Sequence, residues 1–273
     1  MKKIGFIDYY IDEWHANNYP AWIERACAEK GLDYKVAYCF AELDVSPKYG
    51  GTTDEWCQKH GVTKCTSIDE LCEKSDVTVI LAPSNPETHL AYAEAALKYG
   101  KPTYIDKTFA PDSATAKKIF EIAKKYNAPF FSTSALRYAT ELSEYEGAKH
   151  ITVTGGGSNF PEYSVHLCEM IVKTLGGGIK DVKAINSGTQ LALSVCFEDG
   201  RSAMMIYGAK MPYSIYFSGD NGERYIPVTS SFFDGLISDM LDFFESGKPS
   251  FDINETLEVM RLRDMALIAV SEF

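Results

Sequence analysis

The sequence predicts an α/β protein, with a doubly wound parallel sheet followed by an α+β domain that contains an open antiparallel sheet. In the first half, short apolar runs alternate with amphipathic stretches that begin at turn residues and end near glycine or asparagine, as in repeated β-α units. In the second half, short strands are joined by turn signals such as Asp199-Gly200 and Asp220-Asn221-Gly222, and two helices close the chain. We therefore expect two domains, residues 1–134 and 135–273.

The clearest strand of the first half is Val77 to Ala82, whose β-branched residues on both faces indicate burial in a parallel sheet. Pro20 to Lys30 is predicted to be a helix, because Pro20 suits a first turn and Gly31 lies just past the end. Right-handed crossovers place any site at the carboxyl ends of the strands. The other predicted strands are 4–7, 34–40, 64–65, 103–105 and 130–132, and the other predicted helices are 53–60, 68–74, 86–99 and 112–126.

The second half predicts an antiparallel sheet with helices on one face. Its open face is expected to be apolar, because the apolar residues of two strands alternate in and out. We therefore expect a homo-oligomer that forms through this face. The predicted strands are 151–154, 182–186, 192–197, 203–207, 213–217 and 223–226, the closing helices are 232–246 and 254–271, and the alternating residues are Met204, Ile206, Tyr213, Ile215 and Phe217.

Composition excludes several classes of protein. The 273 residues are 45% hydrophobic, which is typical of a globular chain. The 27 basic against 38 acidic residues give a net charge of -11, which would repel nucleic acid and anionic membranes. The seven cysteines form no C-x-x-C pair and favour a reduced, cytoplasmic protein. There is no signal-peptide core and no window near the ~20 apolar residues of a membrane span.

A lysine follows the strand that ends at Ile105, in the segment Asp106-Lys107-Thr108. Ligands of α/β sheets bind at this carboxyl edge. Lys107 would there bind an anion, or polarise and protonate a substrate oxygen. Lysine is also a common surface residue, so a purely structural interpretation remains open.

The helical segment that contains His166 carries two carboxylates on the same face, because Glu162 and Glu169 lie four residues before and three after the histidine. A carboxylate that holds an imidazole makes a competent general acid or base. The alternative is a solvated helix face with a satisfied, half-buried histidine. A metal site is less favoured, because no cysteine or histidine partners occur at ligand spacing.

Three further segments have features that are typical of ligand sites. Pro83 to His89 follows the clearest strand and opens a helix, and His89 either faces a ligand or packs on the loop. The glycine triplets 155–157 and 176–178 are not phosphate cradles, because one ends a helix and the other lies in the wrong domain for a nucleotide fingerprint.

The order of these pieces resembles the Gfo/Idh/MocA oxidoreductases, named for glucose-fructose oxidoreductase and inositol dehydrogenase. Ser75 to Pro102 resembles the family's fourth strand, loop and helix, and the end of the chain resembles its last two helices. Tyr104-Ile105-Asp106-Lys107-Thr108 falls on the Glu-Lys-Pro motif and keeps its lysine. Glu162 and His166 fall on the Asp-x-x-x-His pair, and Glu169 on a following acidic position.

The resemblance implies a Rossmann-like first domain, NAD or NADP as cofactor, and hydride transfer between that cofactor and a sugar, polyol or related hydroxyl compound. It implies that His166 takes the hydroxyl proton, Lys107 stabilises the developing alkoxide and Glu162 orients one or both. The implied cofactor-binding residues are Asp8, Tyr9, Tyr10, Phe40, Ala82, Pro83, Asn85, Asp106 and Lys107.

The first loop departs from the family pattern, because Asp8, Tyr10 and Glu13 stand where Gly-x-Gly-x-x-Gly is expected. Its acids and the Tyr10 side chain would oppose a diphosphate. A second hypothesis is therefore a non-catalytic binding or regulatory protein that has lost the dinucleotide. Two smaller alternatives are a ribose contact from Glu42 or Asp44, which favours NAD, and a cation or polar-ligand site at Asp8, Asp12, Glu13 and His15.

Overall fold

The computed structural model of the protein describes residues 1–143, 147–187 and 190–272. The chain forms two compact units. One consists of Met1–Thr133 and Leu236–Phe251, and the other of Ser134–Gly235 and Asp252–Phe273. A single division at residue 134 does not describe these units, because residues 236–251 associate with the first one.

The first unit contains the predicted doubly wound sheet, and that prediction is confirmed. Six strands pair in parallel in the order β3-β2-β1-β4-β5-β6. The strand order reverses between β1 and β4, so the ligand edge of such a sheet lies beyond the ends of these two strands. The strands are β1 Lys2–Asp8, β2 Tyr34–Ala41, β3 Thr63–Lys64, β4 Val77–Ile80, β5 Thr103–Ile105 and β6 Phe130–Phe131.

The first helix corrects one prediction. It begins at Trp14, well before Pro20, which therefore lies inside the helix and not in its first turn. The helix starts early because the Glu13 side chain caps it by accepting hydrogen bonds from two backbone amides. The helices of this part are α1 Trp14–Lys30, α2 Thr53–His60, α3 Ile68–Lys74, α4 His89–Leu97, which follows a 3-10 turn at Pro86–Thr88, and α5 Ser113–Tyr126.

Local capping explains where several helices begin and end. Thr52 and Glu55 form a capping box at the start of α2, and Asp112 caps α5 by accepting from the amide of Thr115. Gly31 ends α1 with φ 67°, a left-handed conformation that glycine adopts without steric cost. These signals are local in sequence, which is why the bounds of α2 and α5 agree with the prediction.

The second unit contains a six-stranded sheet of order β12-β11-β7-β10-β9-β8. β10 pairs with β7 in parallel, so the sheet is mixed, and the prediction of a wholly antiparallel sheet was wrong at this pair. Parallel neighbours require a crossover, and sequence turn signals reveal only the hairpins. The strands are β7 Ala148–Gly155, β8 Ile179–Ser187, β9 Gln190–Phe197, β10 Ser202–Tyr207, β11 Ser214–Gly219 and β12 Gly222–Pro227, and the helices are α6 Phe160–Leu175, α7 Phe232–Ser246 and α8 Asn254–Ser271.

One face of the mixed sheet packs against helices α6 and α8, and this layer forms the hydrophobic core of the second unit. Ile215 and Phe217 are buried in that core, whereas Met204 and Ile206 on β10 are only partly buried. The alternation of β10 thus leaves apolar side chains on the face away from the helices.

Helix α7 adds its later residues to the first unit. Glu245 accepts hydrogen bonds from Lys2 Nζ and Tyr34 Oη, each at 2.7 Å.

All seven cysteines are free, and only Cys196 is exposed. Within the described ranges, every helix is too short or too polar to cross a membrane.

Candidate functional site

The carboxyl edge of the first sheet gathers most of the residues that the sequence singles out. Asp8 ends β1, Ala82 and Pro83 follow β4, and Asp106 and Lys107 follow β5. β4 lies next to both β1 and β5, so these positions are neighbours at the edge where ligands bind in such sheets. The predicted first-domain candidates are therefore brought together, with the exceptions described below.

Asp8 is a buried carboxyl group. Its Oδ1 accepts hydrogen bonds from the amides of Tyr9 at 2.7 Å and Ala82 at 3.0 Å. Its Oδ2 is buried and has no hydrogen-bond partner among the described residues. Burial and the nearby Glu13 carboxylate raise the pKa of Asp8 well above its usual range, against the effect of the two amides. The environment of Asp8 therefore favours the protonated carboxyl group more than that of an exposed aspartate does.

Glu13 provides the anion at the N-terminus of α1. Its Oε2 accepts a hydrogen bond from the amide of His15 at 2.9 Å, and its Oε1 accepts one from the amide of Ala16. The residue is only 4% exposed. Burial raises the pKa of Glu13, although the charge of His15 and the two amide bonds oppose this rise. The amides that would meet a phosphate at a helix N-terminus are thus already bound by the chain's own carboxylate.

Asp106 is the third buried carboxyl group at this edge. Its Oδ2 lies 2.5 Å from His15 Nδ1, and its Oδ1 accepts hydrogen bonds from the Lys107 amide at 2.8 Å and Tyr104 Oη at 3.0 Å. Burial opposes its ionisation, but His15 and Lys107 lower the pKa of Asp106 below its usual value. The His15 ring in turn stacks on Tyr19, with centroids 5.3 Å apart. His15 therefore forms an internal pair with Asp106.

Lys107 is partly buried at the end of β5, and its Nζ lies 3.4 Å from the carbonyl oxygen of Pro83. The Lys107–Thr108 peptide bond is cis. His89, in contrast, is fully buried, with Nδ1 3.0 Å from the Phe109 carbonyl and Nε2 2.7 Å from the Leu81 carbonyl. The ligand-facing alternative for His89 is thus not supported, because its ring joins the loop to the sheet.

The remaining cofactor candidates lie in the loops around this edge. Tyr9 and Tyr10 are partly exposed, with ring centroids 6.1 Å apart, and the partly exposed Phe40 pairs with Ile7 across β1 and β2. Asn85 donates a hydrogen bond to Glu87 at 2.9 Å.

The two acids near the end of β2 have protein partners. Glu42 accepts a hydrogen bond from Tyr92 Oη at 2.7 Å. Asp44 pairs with Lys64 at 2.8 Å on the surface. Each acid thus has a side-chain partner within the chain, and the contact with a ribose stays a prediction.

The second unit holds the predicted pair Glu162 and His166 on helix α6. His166 is half-buried, and its Nδ1 lies 2.7 Å from Ser134 Oγ. Glu162 accepts hydrogen bonds from Asn159 Nδ2 at 3.1 Å and Ser158 Oγ at 3.4 Å, close to the helix N-terminus. A serine hydroxyl is therefore a partner of the imidazole, which the sequence did not indicate.

The glycine triplet 155–157 has a packing role beside His166. A Cβ at Gly155 would lie 2.4 Å from the ring of Tyr213, and one at Gly157 would lie 2.0 Å from the ring of Tyr163. The same two rings flank His166, with centroid distances of 6.0 Å and 5.7 Å. The glycines thus make room for the aromatic rings around the histidine, in agreement with the prediction that they are no phosphate cradle.

Glu169, the third acid of the α6 face, belongs to a buried ion pair. Its Oε1 accepts from Arg137 Nε at 2.5 Å, and its Oε2 accepts from the Ser134 amide at 3.1 Å. Arg137 also pairs with Glu255 at 2.7 Å. Arg137 and Glu169 are 4% and 3% exposed. Glu169 therefore holds the backbone of the serine that contacts His166.

The cation alternative at Asp8, Asp12, Glu13 and His15 receives no support from the geometry. Among the residues that the structure describes, no three His, Cys, Asp or Glu side chains form a group that could hold a metal ion. Asp12 instead accepts a hydrogen bond from Asn17 Nδ2 at 2.8 Å.

Comparison with known proteins supports the resemblance for part of the chain. Residues 46–134 match the model of the Gfo/Idh/MocA family, described as an oxidoreductase family with an NAD-binding Rossmann fold. A segment of 59 residues is 34% identical to YhhX of Escherichia coli K12, described as an uncharacterised oxidoreductase. That segment is 22% of this chain and 17% of YhhX. The resemblance is therefore confirmed over a segment that includes Lys107, while Asp8 to Glu13 and His166 lie outside it.

Solved structures show the same fold over the whole chain. UDP-N-acetylglucosamine 3-dehydrogenase GnnA from Acidithiobacillus ferrooxidans superposes with a TM-score of 0.78 at 14% identity, covering 100% of this chain and 98% of that one. The scyllo-inositol dehydrogenase from Lactobacillus casei, solved with NAD(H) and scyllo-inositol, gives 0.77 at 15% identity, covering 100% and 97%. At these identities the likeness establishes the fold alone.

The residues of this chain do not fit the dinucleotide that the family binds. The fold places a diphosphate at the N-terminus of α1, where glycines let the backbone approach it. Here Glu13 binds two of the α1 amides, Asp8 is buried at the end of β1, and Tyr10 carries a side chain in the loop. Glu13 thus occupies the amides that the diphosphate requires as donors, and Asp8 and Tyr10 stand where glycines would leave space.

Proposed function

We propose that the protein binds a sugar-like, hydroxylated small molecule on an oxidoreductase scaffold, and that it no longer holds a nicotinamide dinucleotide at the N-terminus of α1. The observation that carries this proposal is the buried Glu13 carboxylate, which accepts hydrogen bonds from the amides of His15 and Ala16. Such amides bind the diphosphate in dinucleotide-binding members of this fold class. Glu13 takes the place of that anion.

The energetic barrier to a diphosphate is substantial on simple electrostatic grounds. Displacing a capping side chain costs about 1 kcal/mol. Like charges about 4 Å apart repel by roughly 4 kcal/mol at an effective dielectric constant near 20. Each 1.4 kcal/mol weakens binding about tenfold. The Glu13 cap with Asp106 nearby is therefore sufficient to abolish micromolar binding of a dinucleotide at this position.

The proposed ligand contact of the first unit is Lys107, and His166 is a separate candidate contact in the second unit. Lys107 brings a positive charge to the carboxyl edge of the sheet, where it can bind a hydroxyl, carbonyl or carboxylate oxygen. His166 is half-buried between two tyrosine rings and is held by Ser134. Aromatic rings beside a hydrogen-bonding imidazole suit a ligand with both apolar faces and hydroxyl groups.

A second candidate is an NAD- or NADP-dependent oxidoreductase that acts on a sugar or polyol. The family match over residues 46–134, which includes Lys107, favours it. The roles that the family resemblance implies for Lys107, His166 and Glu162 belong to this candidate. The cofactor would then have to bind in a pose that leaves the Glu13 cap intact or replaces it.

A thermal-melt titration with NAD, NADH, NADP and NADPH, followed by a panel of inositols and sugars, separates the two candidates. A ligand at 100 times its Kd stabilises the folded state by about 2.7 kcal/mol. We expect no saturable shift with the four dinucleotides and a saturable shift with a polyol or sugar. Lys107→Ala and His166→Ala should weaken that shift, while Lys117→Ala, on the exposed side of α5, should not. A saturable dinucleotide shift in the unaltered protein would favour the oxidoreductase.

We also propose that the protein is cytoplasmic and forms a homo-oligomer through the open face of the mixed sheet. Ile185 is 55% exposed and Tyr225 is 62% exposed, and Ile206 on the intervening β10 is partly exposed. An apolar surface of this kind favours self-association. Light scattering should give a mass above one chain, which Ile206→Lys should reduce. A monomer at all concentrations would contradict the proposal.

A further inference from the structure

Two cysteines of the first unit lie in direct contact, although they belong to different elements. Cys39 is on β2 and Cys57 is on α2, and their Sγ atoms are 3.3 Å apart. We propose that this pair is a modification site, at which a peroxide oxidises the two thiols to an intramolecular disulfide. The inference goes beyond the proposed function, because it requires no ligand at the candidate site.

The backbones of both elements hold the two sulfur atoms near each other. Cys39 pairs in register with Phe6 on β1 and with Lys64 on β3, so its strand is fixed on both sides. Cys57 lies in the last turn of α2, and its carbonyl oxygen accepts a hydrogen bond from the amide of Gly61. A disulfide bond is about 2.0 Å long. The two sulfur atoms therefore need to approach each other by only about 1 Å.

Cys57 is the member of the pair that is assigned to attack the oxidant. It is 8% exposed, whereas Cys39 has no exposed surface. The contact with Cys39 lowers the pKa of Cys57, because a thiolate at Cys57 can accept a hydrogen bond from the Cys39 thiol, although burial opposes this change. The thiolate is the form of cysteine that attacks a peroxide. Cys39 is then the resolving residue.

The reaction balances in two steps. The Cys57 thiolate attacks one oxygen of hydrogen peroxide and breaks the O–O bond, which gives a sulfenic acid and a hydroxide ion that takes up a proton to become water. The Cys39 sulfur then attacks the Cys57 sulfur. The S–O bond breaks, and the leaving oxygen takes the Cys39 proton and departs as a second water. The two thiols are thus oxidised to one disulfide, and one peroxide is reduced to two waters.

Cys65 provides a matched control for this chemistry. It is buried like the pair, at 3% exposure, and its amide donates a hydrogen bond to the Cys39 carbonyl oxygen at 2.7 Å. Burial raises the pKa of Cys65, whereas the pKa of Cys57 is lowered by its thiol neighbour. Burial and closeness in the fold are therefore shared by Cys65, and the thiol contact is the feature that distinguishes the proposed pair.

The pair lies close to the ligand edge of the first sheet. Cys39 precedes the end of β2 at Ala41 by two residues, and Ala41 pairs with Asp8 at the end of β1. A covalent bond between Cys39 and Cys57 would tie α2 to this part of β2. The disulfide would therefore restrain the strand end that borders the candidate site.

Thiol counting after mild oxidation tests the proposal. Cys196→Ser serves as the background variant, because Cys196 is exposed and would react with peroxide by itself. The folded variant is treated with an equimolar amount of hydrogen peroxide, the remaining thiols are blocked with N-ethylmaleimide in urea, and the peptides are mapped by mass spectrometry. We expect its six thiols to fall to four, with one pair of peptides joined through Cys39 and Cys57. Dithiothreitol should restore all six.

Further substitutions in this background assign the two roles. Cys39→Ala should form no disulfide and should leave a sulfenic acid at Cys57, which dimedone traps. Cys57→Ala should give neither product. Cys65→Ala should form the same disulfide as the background variant, because Cys65 takes no part in the reaction.

Six unmodified thiols, under conditions that oxidise Cys196 in the unaltered protein, would overturn the proposal. A disulfide that joins any other pair of cysteines would also overturn it, as would a sulfinic acid at Cys57 without a disulfide. Should an alanine variant fail to fold, the peptide map of the background variant still identifies the bonded pair.

Discussion

Asp8 and Glu13 in the first unit and Glu141 and Glu169 in the second are buried carboxyl groups with different surroundings. In the second unit, Glu169 is bound by Arg137 and the Ser134 amide, and both oxygens of Glu141 accept hydrogen bonds from Thr229 and Ser230. In the first unit, Asp8 and Glu13 lie near each other at the sheet edge, and burial raises the pKa of both. Asp8 Oδ2 has no hydrogen-bond partner among the described residues.

The carboxyl groups of the second unit have structural roles, whereas Asp8 and Glu13 change the chemistry of a candidate binding site. Glu169 and Glu141, whose oxygens are bound by hydrogen-bond donors, join distant segments of the second unit. Asp8 and Glu13 stand where the fold would place glycines, and the cost of burying them is offset only in part by backbone amides and, for Glu13, by the nearby His15. This contrast supports the proposal that the sheet edge of the first unit no longer binds a dinucleotide.

The largest decrease in the free energy of unfolding is expected when the buried Arg137–Glu169 ion pair is broken. Arg137→Leu leaves Glu169 buried without its cation, which typically lowers the free energy of unfolding by about 3–5 kcal/mol. Urea unfolding measures the change. Lys149→Ala breaks the exposed Lys149–Asp220 pair on the same unit and should cost less than about 1 kcal/mol. Equal losses in the two variants would show that Glu169 is not a scaffold carboxylate.

The contribution of Glu141 to the free energy of unfolding should depend on pH. Burial opposes its ionisation, but hydrogen bonds from Ser230 and Thr229 lower the pKa of Glu141 to about 2. Its contribution is thus present above the ordinary pKa of a glutamate and is lost as pH falls toward 2. Glu141→Gln should lower the free energy of unfolding by about 2 kcal/mol near neutral pH and by little near pH 2. A loss that is independent of pH would contradict the role of the charge.

Asp8 should show the opposite pH dependence. Its pKa is raised in the folded state, so the stability linked to its proton is present below the ordinary pKa and is lost as pH rises through the raised value. Asp8→Asn cannot ionise, and its free energy of unfolding should rise relative to the unaltered protein by up to about 1.4 kcal/mol per pH unit in this interval.

Unfolding by urea at roughly pH 5 and pH 8 reveals this difference. Glu121→Gln, an exposed acid on α5, serves as the control and should show no such trend. A constant difference between Asp8→Asn and the unaltered protein would mean that Asp8 ionises normally, and the contrast between the two units would then disappear.

The Glu13 cap should have the smallest effect on stability. Glu13→Ala removes the acceptor of two amides at the start of α1 and should cost about 1 kcal/mol. Glu24→Ala, on the exposed side of the same helix, should change the free energy of unfolding by less than about 0.5 kcal/mol. Equal changes would show that Glu13 does not hold the helix N-terminus.

Sequence periodicity and turn signals predicted both sheets, most helices and the placement of Lys107 at the carboxyl edge, because these features depend on local pattern. These signals did not predict contacts between residues far apart in sequence, or a helix start set by an unusual capping residue. Pro20 suggested a helix start, whereas the true start is set by a glutamate cap, a residue type with weak capping preference. The Ser134–His166 contact joins residues 32 apart, and no spacing rule reports it. The parallel pairing of β7 and β10 was not predicted, because these strands are also far apart in the sequence.

We propose that Glu13 takes the position of a dinucleotide diphosphate at the N-terminus of α1. Isothermal titration of NADH into the unaltered protein and into Glu13→Ala tests this proposal, with Glu24→Ala as the matched control. We expect no saturable binding at micromolar NADH to the unaltered protein or the control, and binding at least about tenfold tighter to Glu13→Ala. Micromolar binding to the unaltered protein that Glu13→Ala leaves unchanged would contradict it.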